Sequence, residues 1–152
     1  MNYNEFKLAI KKNDLKEKYL FTGEEVYLMD EALDRLIKAN IPHGTEGMNL
    51  TRIDLKDANI EDIRDSVVTL PFLAQRKLTI VYSPELLSEN YDTEAYKDLF
   101  SDLGDHQVLI LIDNGGKIKS NSKLIKCFKT DEIIMFDKLK GKDLTIWIEE
   151  KL

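Results

Sequence analysis

The residues whose types best suit chemistry lie in a turn that joins a short apolar strand to a helical pattern. They are Gly23, Glu24 and Glu25. Strand, glycine turn and helix in this order are the layout of a phosphate-binding loop, which also needs several glycines, a Lys and a Ser or Thr. Here one glycine precedes two glutamates, which suit the N-terminal end of a helix but repel a phosphate. We therefore predict a degenerate phosphate loop, with Thr22 and Glu25 as a capping box that opens the helix.

A second candidate is Asp113, which directly follows the apolar segment Val108–Ile112. An acid in this place can bind magnesium beside a phosphate loop, but the Asn and two glycines that follow are also good turn residues. We interpret Asp113 as a turn residue, because the phosphate loop is degenerate. His43 and His106 fall on separate loops and Cys127 has no His neighbour in sequence, so we predict neither a metal site nor a catalytic constellation.

An apolar connection precedes the third predicted strand, in a place where a connection is normally polar. It contains Leu70, Pro71, Phe72 and Leu73. Pro71 disfavours helix at Leu70, which puts Phe72 and Leu73 in a turn. The pair either folds back onto the core or is displayed as an apolar knob, and patterning alone favours folding back.

Strand and helix patterns alternate along the chain, which indicates a parallel α/β sheet with helices on both faces. The predicted strands are Lys18–Phe21, Met48–Leu55, Leu78–Tyr82, Val108–Ile112 and Glu132–Phe136. The first predicted helix spans about Asn4–Lys12, with Asn2 and Glu5 as its cap pair, and the second ends at Asn40. The third is capped by Asn59 and has Leu70 on its apolar face. The last two are about Thr93–Leu103 and Lys119–Phe128.

Length and composition indicate an ordinary globular domain. The chain has 152 residues, of which 43% are hydrophobic and 33% charged, enough for one sizeable core. Its net charge of −6 argues against a domain that binds nucleic acid by itself, but it does not argue against DNA contact within a larger assembly. A single cysteine and the lack of a long apolar run lead us to expect a cytoplasmic protein without membrane contact.

The last residues form an amphipathic pattern, Asp143–Leu152, that holds the only Trp of the chain. This segment is either a terminal helix docked on the sheet or the first helix of a further domain. We favour the second interpretation, because the apolar stripe has no further chain to pack on it. The expected organisation is one domain over residues 1–140, followed at 141–152 by the start of a helical second domain.

Several short motifs taken together resemble the N-terminal domain of the delta subunits of bacterial DNA polymerase III. The resemblance covers nearly the whole chain, and its joint spacing is more specific than any single piece. In order, the motifs are Gly23-Glu24-Glu25-x-Tyr27-Leu28, Ile53-Asp54, Asp62-Ile63-Arg64, Thr69-Leu70-Pro71-Phe72, Arg76-Lys77-Leu78 and Leu109-Ile110-Leu111-Ile112.

The resemblance implies a P-loop NTPase or AAA+-like fold whose nucleotide site is absent. The strand that carries magnesium-binding acids in such folds corresponds to Leu78–Tyr82, which runs into Ser83 and Pro84 rather than into a carboxylate pair. Asp113 then belongs to the next strand, at the sensor position. No cofactor and no ATPase activity are expected of this domain, which would be one part of a DNA-directed DNA polymerase holoenzyme.

The resemblance also implies a site for Phe72 and Leu73, flanked by Leu70 and Pro71. Delta subunits present an adjacent pair of large apolar residues at this turn to a pocket on the sliding clamp, the beta subunit. Relatives can have Leu before Phe, and the order here is reversed. Other implied partners are the remaining clamp-loader subunits, reached through C-terminal domains, and primed DNA within the assembled loader. The alternative function is a degenerate nucleotide-binding NTPase-like domain.

Overall fold

The computed structural model describes residues 1–82, 92–116, 118 and 122–137, within which five strands form one sheet with helices on both faces. The strands are β1 (Lys18–Gly23), β2 (Leu50–Asp54), β3 (Lys77–Tyr82), β4 (Gln107–Asn114) and β5 (Ile133–Phe136). The helices are α1 (Tyr3–Lys11), α2 (Val26–Asn40), α3 (Glu46–Asn49), α4 (Ile60–Val68) and α5 (Thr93–Ser101), and 3-10 turns cover Ile125–Cys127 and Thr130–Glu132.

Every strand pair of this sheet is parallel, and the strand order is β2-β3-β4-β1-β5. Strand β1 lies between β4 and β5, with Lys18 opposite Leu109 and Gly23 opposite both Asn114 and Phe136. The predicted parallel α/β fold is therefore confirmed, including the pairing of β3 with β4.

The helices cover both faces because successive side chains of a strand point to opposite sides. In β1, Tyr19 and Phe21 join the apolar layer under α1 and α2, whereas Leu20 joins the layer under α4 and α5. Strand β4 divides in the same way. Its interior side chains are fully buried, which explains the continuous apolar run in the sequence.

A partly buried ion pair joins the start of β1 to the residue before β5. Lys18 Nζ lies 3.1 Å from Glu132 Oε2, and the two side chains are 15% and 8% exposed. The same ammonium lies 5.6 Å and 5.4 Å from the ring centroids of Phe100 and Phe128, within the range of a cation–π interaction. This cluster fixes the N-terminal end of β1 against the residues that lead into β5.

Two helix starts agree with the sequence. Asn2 and Glu5 form a capping box at α1, where the Glu5 amide donates to Asn2 Oδ1 at 2.8 Å. At α4, Asn59 Oδ1 accepts the amides of Glu61 and Asp62. Both caps satisfy amides that have no partner inside the helix.

The predicted capping box of Thr22 and Glu25 is wrong. Thr22 belongs to β1, where its buried hydroxyl donates to Asp113 Oδ2 at 2.7 Å, and Glu25 itself occupies the N-cap position of α2. The spacing did not distinguish the two cases, because a Thr three residues before a Glu is compatible with a helix start and with the end of a strand. Parallel pairing with β4 and β5 places Thr22 in the strand.

Several other predicted boundaries need correction. Asn49 closes the short helix α3, so β2 begins only at Leu50. Leu70 lies beyond the end of α4, because the extended residue Thr69 already ends that helix. The predicted helix Lys119–Phe128 is replaced over residues 122–128 by turns and one 3-10 turn, and Glu132 also belongs to a 3-10 turn. Residues 119–121 and the predicted helix Asp143–Leu152 lie outside the described residues, as does the boundary at 140.

Among the described helices, none combines the length and the apolar character that a membrane span requires.

Replacement of Thr22 by Val should lower the free energy of unfolding by about 1–3 kcal/mol, because the buried Asp113 Oδ2 then loses its hydroxyl donor. Thr22→Ser keeps that hydroxyl and loses only the methyl group, so it should cost less. Urea denaturation of both variants gives the comparison. A larger loss for Ser than for Val would show that packing of the methyl group outweighs the hydrogen bond.

Candidate functional site

The turn between β1 and α2 is too short to wrap a phosphate. Gly23 ends the strand and Val26 begins the helix, so Glu24 and Glu25 form the whole connection. The Glu25 amide donates to the Phe136 carbonyl at 3.0 Å, and the Gly115 amide donates to the Gly23 carbonyl at 2.8 Å. The Glu25 amide lies at the N-terminus of α2, where a nucleotide-binding loop would donate to a phosphate, whereas the Gly115 amide follows β4. In this chain these two bonds join the turn to the end of β5 and to the residue after β4.

Gly23 has a steric reason to be glycine that is independent of ligand binding. Its φ is +139°, a conformation that L side chains rarely adopt, and a Cβ atom there would lie 2.2 Å from the Phe136 carbonyl oxygen. The glycine therefore serves the close approach of β1 and β5.

A shallow concavity lies beside this closed loop, at the carboxyl ends of the strands where open α/β sheets usually bind ligands. Its polar and apolar lining includes Glu24, Ile118, Met135 and Asp137. Among the lining residues that the structure describes, none is Lys or Arg. The two carboxylates make this surface unfavourable for a polyphosphate.

Asp113 acts as a structural acceptor. Its side chain is fully buried, and Oδ2 accepts both the Thr22 hydroxyl at 2.7 Å and the Ile118 amide at 3.0 Å. These bonds tie the end of β4 to β1 and to the loop that follows β4. Within the described ranges, no group of three or more His, Cys, Asp or Glu side chains is placed to hold a metal ion.

The apolar turn before β3 points outward, so the expectation from patterning alone that Phe72 and Leu73 fold back onto the core is wrong. Phe72 is 49% exposed, Leu73 76% and Leu70 71%, while Pro71 is half-buried. The physical reason is that the backbone of Phe72 is hydrogen-bonded to the side chain of Asn49, which fixes the turn with these side chains outward.

The exposed turn is held by one buried side chain. Asn49 Oδ1 accepts the Phe72 amide at 2.7 Å, and Asn49 Nδ2 donates to the Phe72 carbonyl at 2.8 Å. The next residue, Leu73, has a φ of 54°, in the left-handed region that costs an L-residue about 1–2 kcal/mol. A strained backbone of this kind persists only where its surroundings determine it.

The other side of the turn is anchored as well. Arg76 Nη1 donates to Asn13 Oδ1 and lies 3.5 Å from Asn40 Oδ1, while Asn13 Nδ2 donates to Gln75 Oε1 at 3.3 Å. Leu73 is therefore the tip of a turn whose two flanks are both bonded to the body of the domain.

The two candidate sites lie at opposite ends of the sheet. Gly23, Glu24 and Glu25 follow the carboxyl end of β1, whereas Phe72 and Leu73 precede the amino end of β3, and these strands run in the same direction. Sequence reasoning missed Asn49, which it placed inside a strand. The available signal was that Asn is depleted in strands.

The family model and the curated relative that match this chain both describe the delta subunit of DNA polymerase III. A family model described as DNA polymerase III, delta subunit, matches residues 19–136. The chain is 25% identical over 145 residues to DNA polymerase III subunit delta of Bacillus subtilis (strain 168), and this match covers 90% of the chain and 42% of that protein. The chain therefore spans less than half the length of this curated relative.

Two solved structures share the fold. The Bacillus subtilis DNA clamp loader delta protein is similar with a TM-score of 0.83 and 22% identity, over 95% of this chain and 45% of that one. A DNA polymerase III gamma subunit-related protein from Thermotoga maritima is similar with a TM-score of 0.58 and 16% identity, over 97% of this chain and 49% of that one. At these identities the likeness concerns the fold alone, which is a parallel sheet with helices on both faces.

Replacement of Leu73 by Gly should give a more stable protein than replacement by Ala, by about 1 kcal/mol, because Gly adopts the left-handed conformation without a Cβ clash. This reverses the usual order of the two residues. Since Leu73 is largely exposed, loss of its side chain affects both variants equally. Urea unfolding midpoints give the comparison, and an Ala variant as stable as the Gly variant would contradict a left-handed backbone at this position.

Proposed function

This chain belongs to the family of DNA polymerase III delta subunits, and on that premise we propose that it is a clamp-loader domain that binds the sliding clamp, the beta subunit, and helps to open it. The contact is made by Phe72 and Leu73, flanked by Leu70 and Pro71. The domain acts by binding and not by catalysis. Because the chain spans less than half of its curated relative, the activity of the whole subunit is part of the same proposal.

The observation that carries the proposal is the outward display of two adjacent large apolar side chains on an anchored turn. Exposed apolar groups that a fold holds away from its core are typical of sites covered by a partner. Burial of one such side chain contributes about 1.5–3 kcal/mol, and residues of this size dominate interface energies. Val68 and Leu70, at the end of α4 and just beyond it, are also more than half exposed and extend the apolar character around the pair.

The closed phosphate loop supports a role without ATP hydrolysis. The amides of Glu25 and Gly115 already donate to backbone carbonyls, and Glu24 and Asp137 would repel a polyphosphate. A clamp-binding domain requires none of the groups that are missing from this loop.

The proposed partners follow from the same premise. Besides the clamp, they are the other clamp-loader subunits, which are reached through a C-terminal part of the subunit, and primed DNA within the assembled loader. A net charge of −6 is consistent with DNA contact through the assembly and not through this domain alone. We further propose that residues 1–140 form the clamp-binding domain, that 141–152 begin a helical second domain, and that the protein acts in the cytoplasm.

The double variant Phe72→Ala with Leu73→Ala should weaken binding to the cognate sliding clamp at least about thirtyfold, because it removes the apolar pair that the clamp pocket would bury. Its melting temperature should change little, since exposed substitutions usually alter stability by no more than about 0.5 kcal/mol. Surface plasmon resonance on immobilised clamp gives the affinity and differential scanning fluorimetry the stability.

Met135→Ala is the matched control. Met135 is apolar and 43% exposed, but it lies on β5, the edge strand furthest from β2 and β3. This variant should bind the clamp as the unmodified chain does. Unchanged affinity of the double variant, with a large fall in its melting temperature, would place the pair in the core and refute the assignment of the site.

Titration of the chain with Mg-ATP in a calorimeter distinguishes the clamp-binding function from the alternative of a degenerate nucleotide-binding domain. We expect no binding at sub-millimolar concentrations, because the Glu25 amide is already bonded to the Phe136 carbonyl and carboxylates line the adjacent concavity. A micromolar dissociation constant, equivalent to about −8 kcal/mol, would contradict this expectation and favour the alternative.

A further inference from the structure

The side chain of Asn49 holds the exposed apolar turn across 23 residues of sequence. We propose that Asn49 is a positioning residue for the clamp contact, which fixes the backbone of Phe72 so that Phe72 and Leu73 stand in their binding geometry before the clamp arrives. This inference rests on the proposed clamp-binding function.

The geometry of the contact suits this role. A primary amide carries an acceptor and a donor side by side, and Asn49 uses one of each on the same residue: Oδ1 accepts the Phe72 N–H and Nδ2 donates to the Phe72 carbonyl. The amide thus replaces the backbone partner that Phe72 would have in a strand. Two bonds to one peptide backbone fix both the position and the orientation of that residue.

Asn49 is itself rigidly placed. It is fully buried at the end of α3, and Nδ2 donates a second hydrogen bond to Thr45 Oγ1 at 3.0 Å. Thr45 in turn donates to the Pro42 carbonyl at 2.7 Å. A buried amide whose donors are all bonded costs free energy to move, so the chain of bonds from Pro42 to Phe72 holds one geometry.

The strained backbone of Leu73 explains why the turn needs the hydrogen bonds of Asn49. A leucine with a φ of 54° on an exposed turn would relax to an extended or right-handed conformation if its neighbours allowed it. Relaxation would move the Phe72 and Leu73 side chains relative to each other. The apparent affinity for a partner is proportional to the fraction of the protein in the binding-competent conformation. The hydrogen bonds of Asn49 raise this fraction and therefore raise the affinity for the clamp.

Two variants test the proposal on the whole chain. Asn49→Ala removes both bonds. Asn49→Asp keeps an acceptor for the Phe72 amide but, when ionised, cannot donate to the Phe72 carbonyl. Burial raises the pKa of an aspartic acid, and the protonated form regains one O–H donor, which can replace the bond to the Phe72 carbonyl but not also the bond to Thr45. Lowering the pH should therefore restore the hydrogen bond to the Phe72 carbonyl in the Asp variant but not in the Ala variant.

Clamp affinity is measured by surface plasmon resonance from pH 8 to pH 5, each variant being compared with the unmodified chain at the same pH. Asn49→Ala should bind about tenfold more weakly at every pH. Asn49→Asp should be about tenfold weaker at pH 8 and should recover to within about threefold at pH 5. Equal affinity of both variants and the unmodified chain at every pH would overturn the proposal, as would an Asp variant that at pH 5 still binds as weakly as the Ala variant.

Amide hydrogen exchange without clamp separates positioning from general stability. In Asn49→Ala, the Phe72 amide should exchange at least about tenfold faster, while the amide of Ile80 in β3 keeps its rate. Equal acceleration at Phe72 and Ile80 would show that Asn49 only stabilises the fold and would overturn the proposal. Failure of the unmodified chain to bind the clamp, or undiminished binding by the Phe72→Ala/Leu73→Ala double variant, would instead refute the proposed function.

Discussion

The parallel pairing of β1 with β4 on one side and β5 on the other is the constraint on which the rest of this domain depends. It brings Gly23 against Asn114 and Phe136 at one level of the sheet, with no room for a Cβ atom. Every buried backbone group needs a partner, and here the amides of Glu25 and Gly115 find theirs on the ends of neighbouring strands. The backbone groups at this turn are thereby used to close the sheet.

The sheet direction then separates this closed end from the exposed turn. All strands run the same way, so the carboxyl end of β1 and the amino end of β3 lie at opposite ends of the sheet. A change at the apolar turn leaves the bonds around Gly23 intact. The two candidate sites can therefore be substituted independently of each other.

Much of the fold could be predicted because its signals are local. Continuous apolar runs such as Val108–Ile112 mark buried strands, and helices between them imply parallel pairing. The exposure of Phe72 was not accessible in this way, since patterning alone favoured burial and only the family resemblance pointed outward.

The remaining features depend on contacts between residues distant in sequence. Thr22 fits a helix cap by spacing, but its hydroxyl bonds to Asp113, 91 residues away. Asn49 has no periodic signature at all, because its role is set by the backbone of Phe72. Likewise, the left-handed conformation of Leu73 contradicts the preference of its residue type, and no local rule gives it.

The ion pair of Lys18 and Glu132 has a consequence for how this domain responds to ionic strength. Surface pairs such as Lys38 with Asp34 are well exposed and lose their small contribution as salt is added. The Lys18 pair is largely shielded from water beside two aromatic rings, so mobile ions screen it much less. The junction of β1 and β5 should thus keep its geometry in concentrated salt, where charge-based contacts between subunits weaken and apolar ones do not.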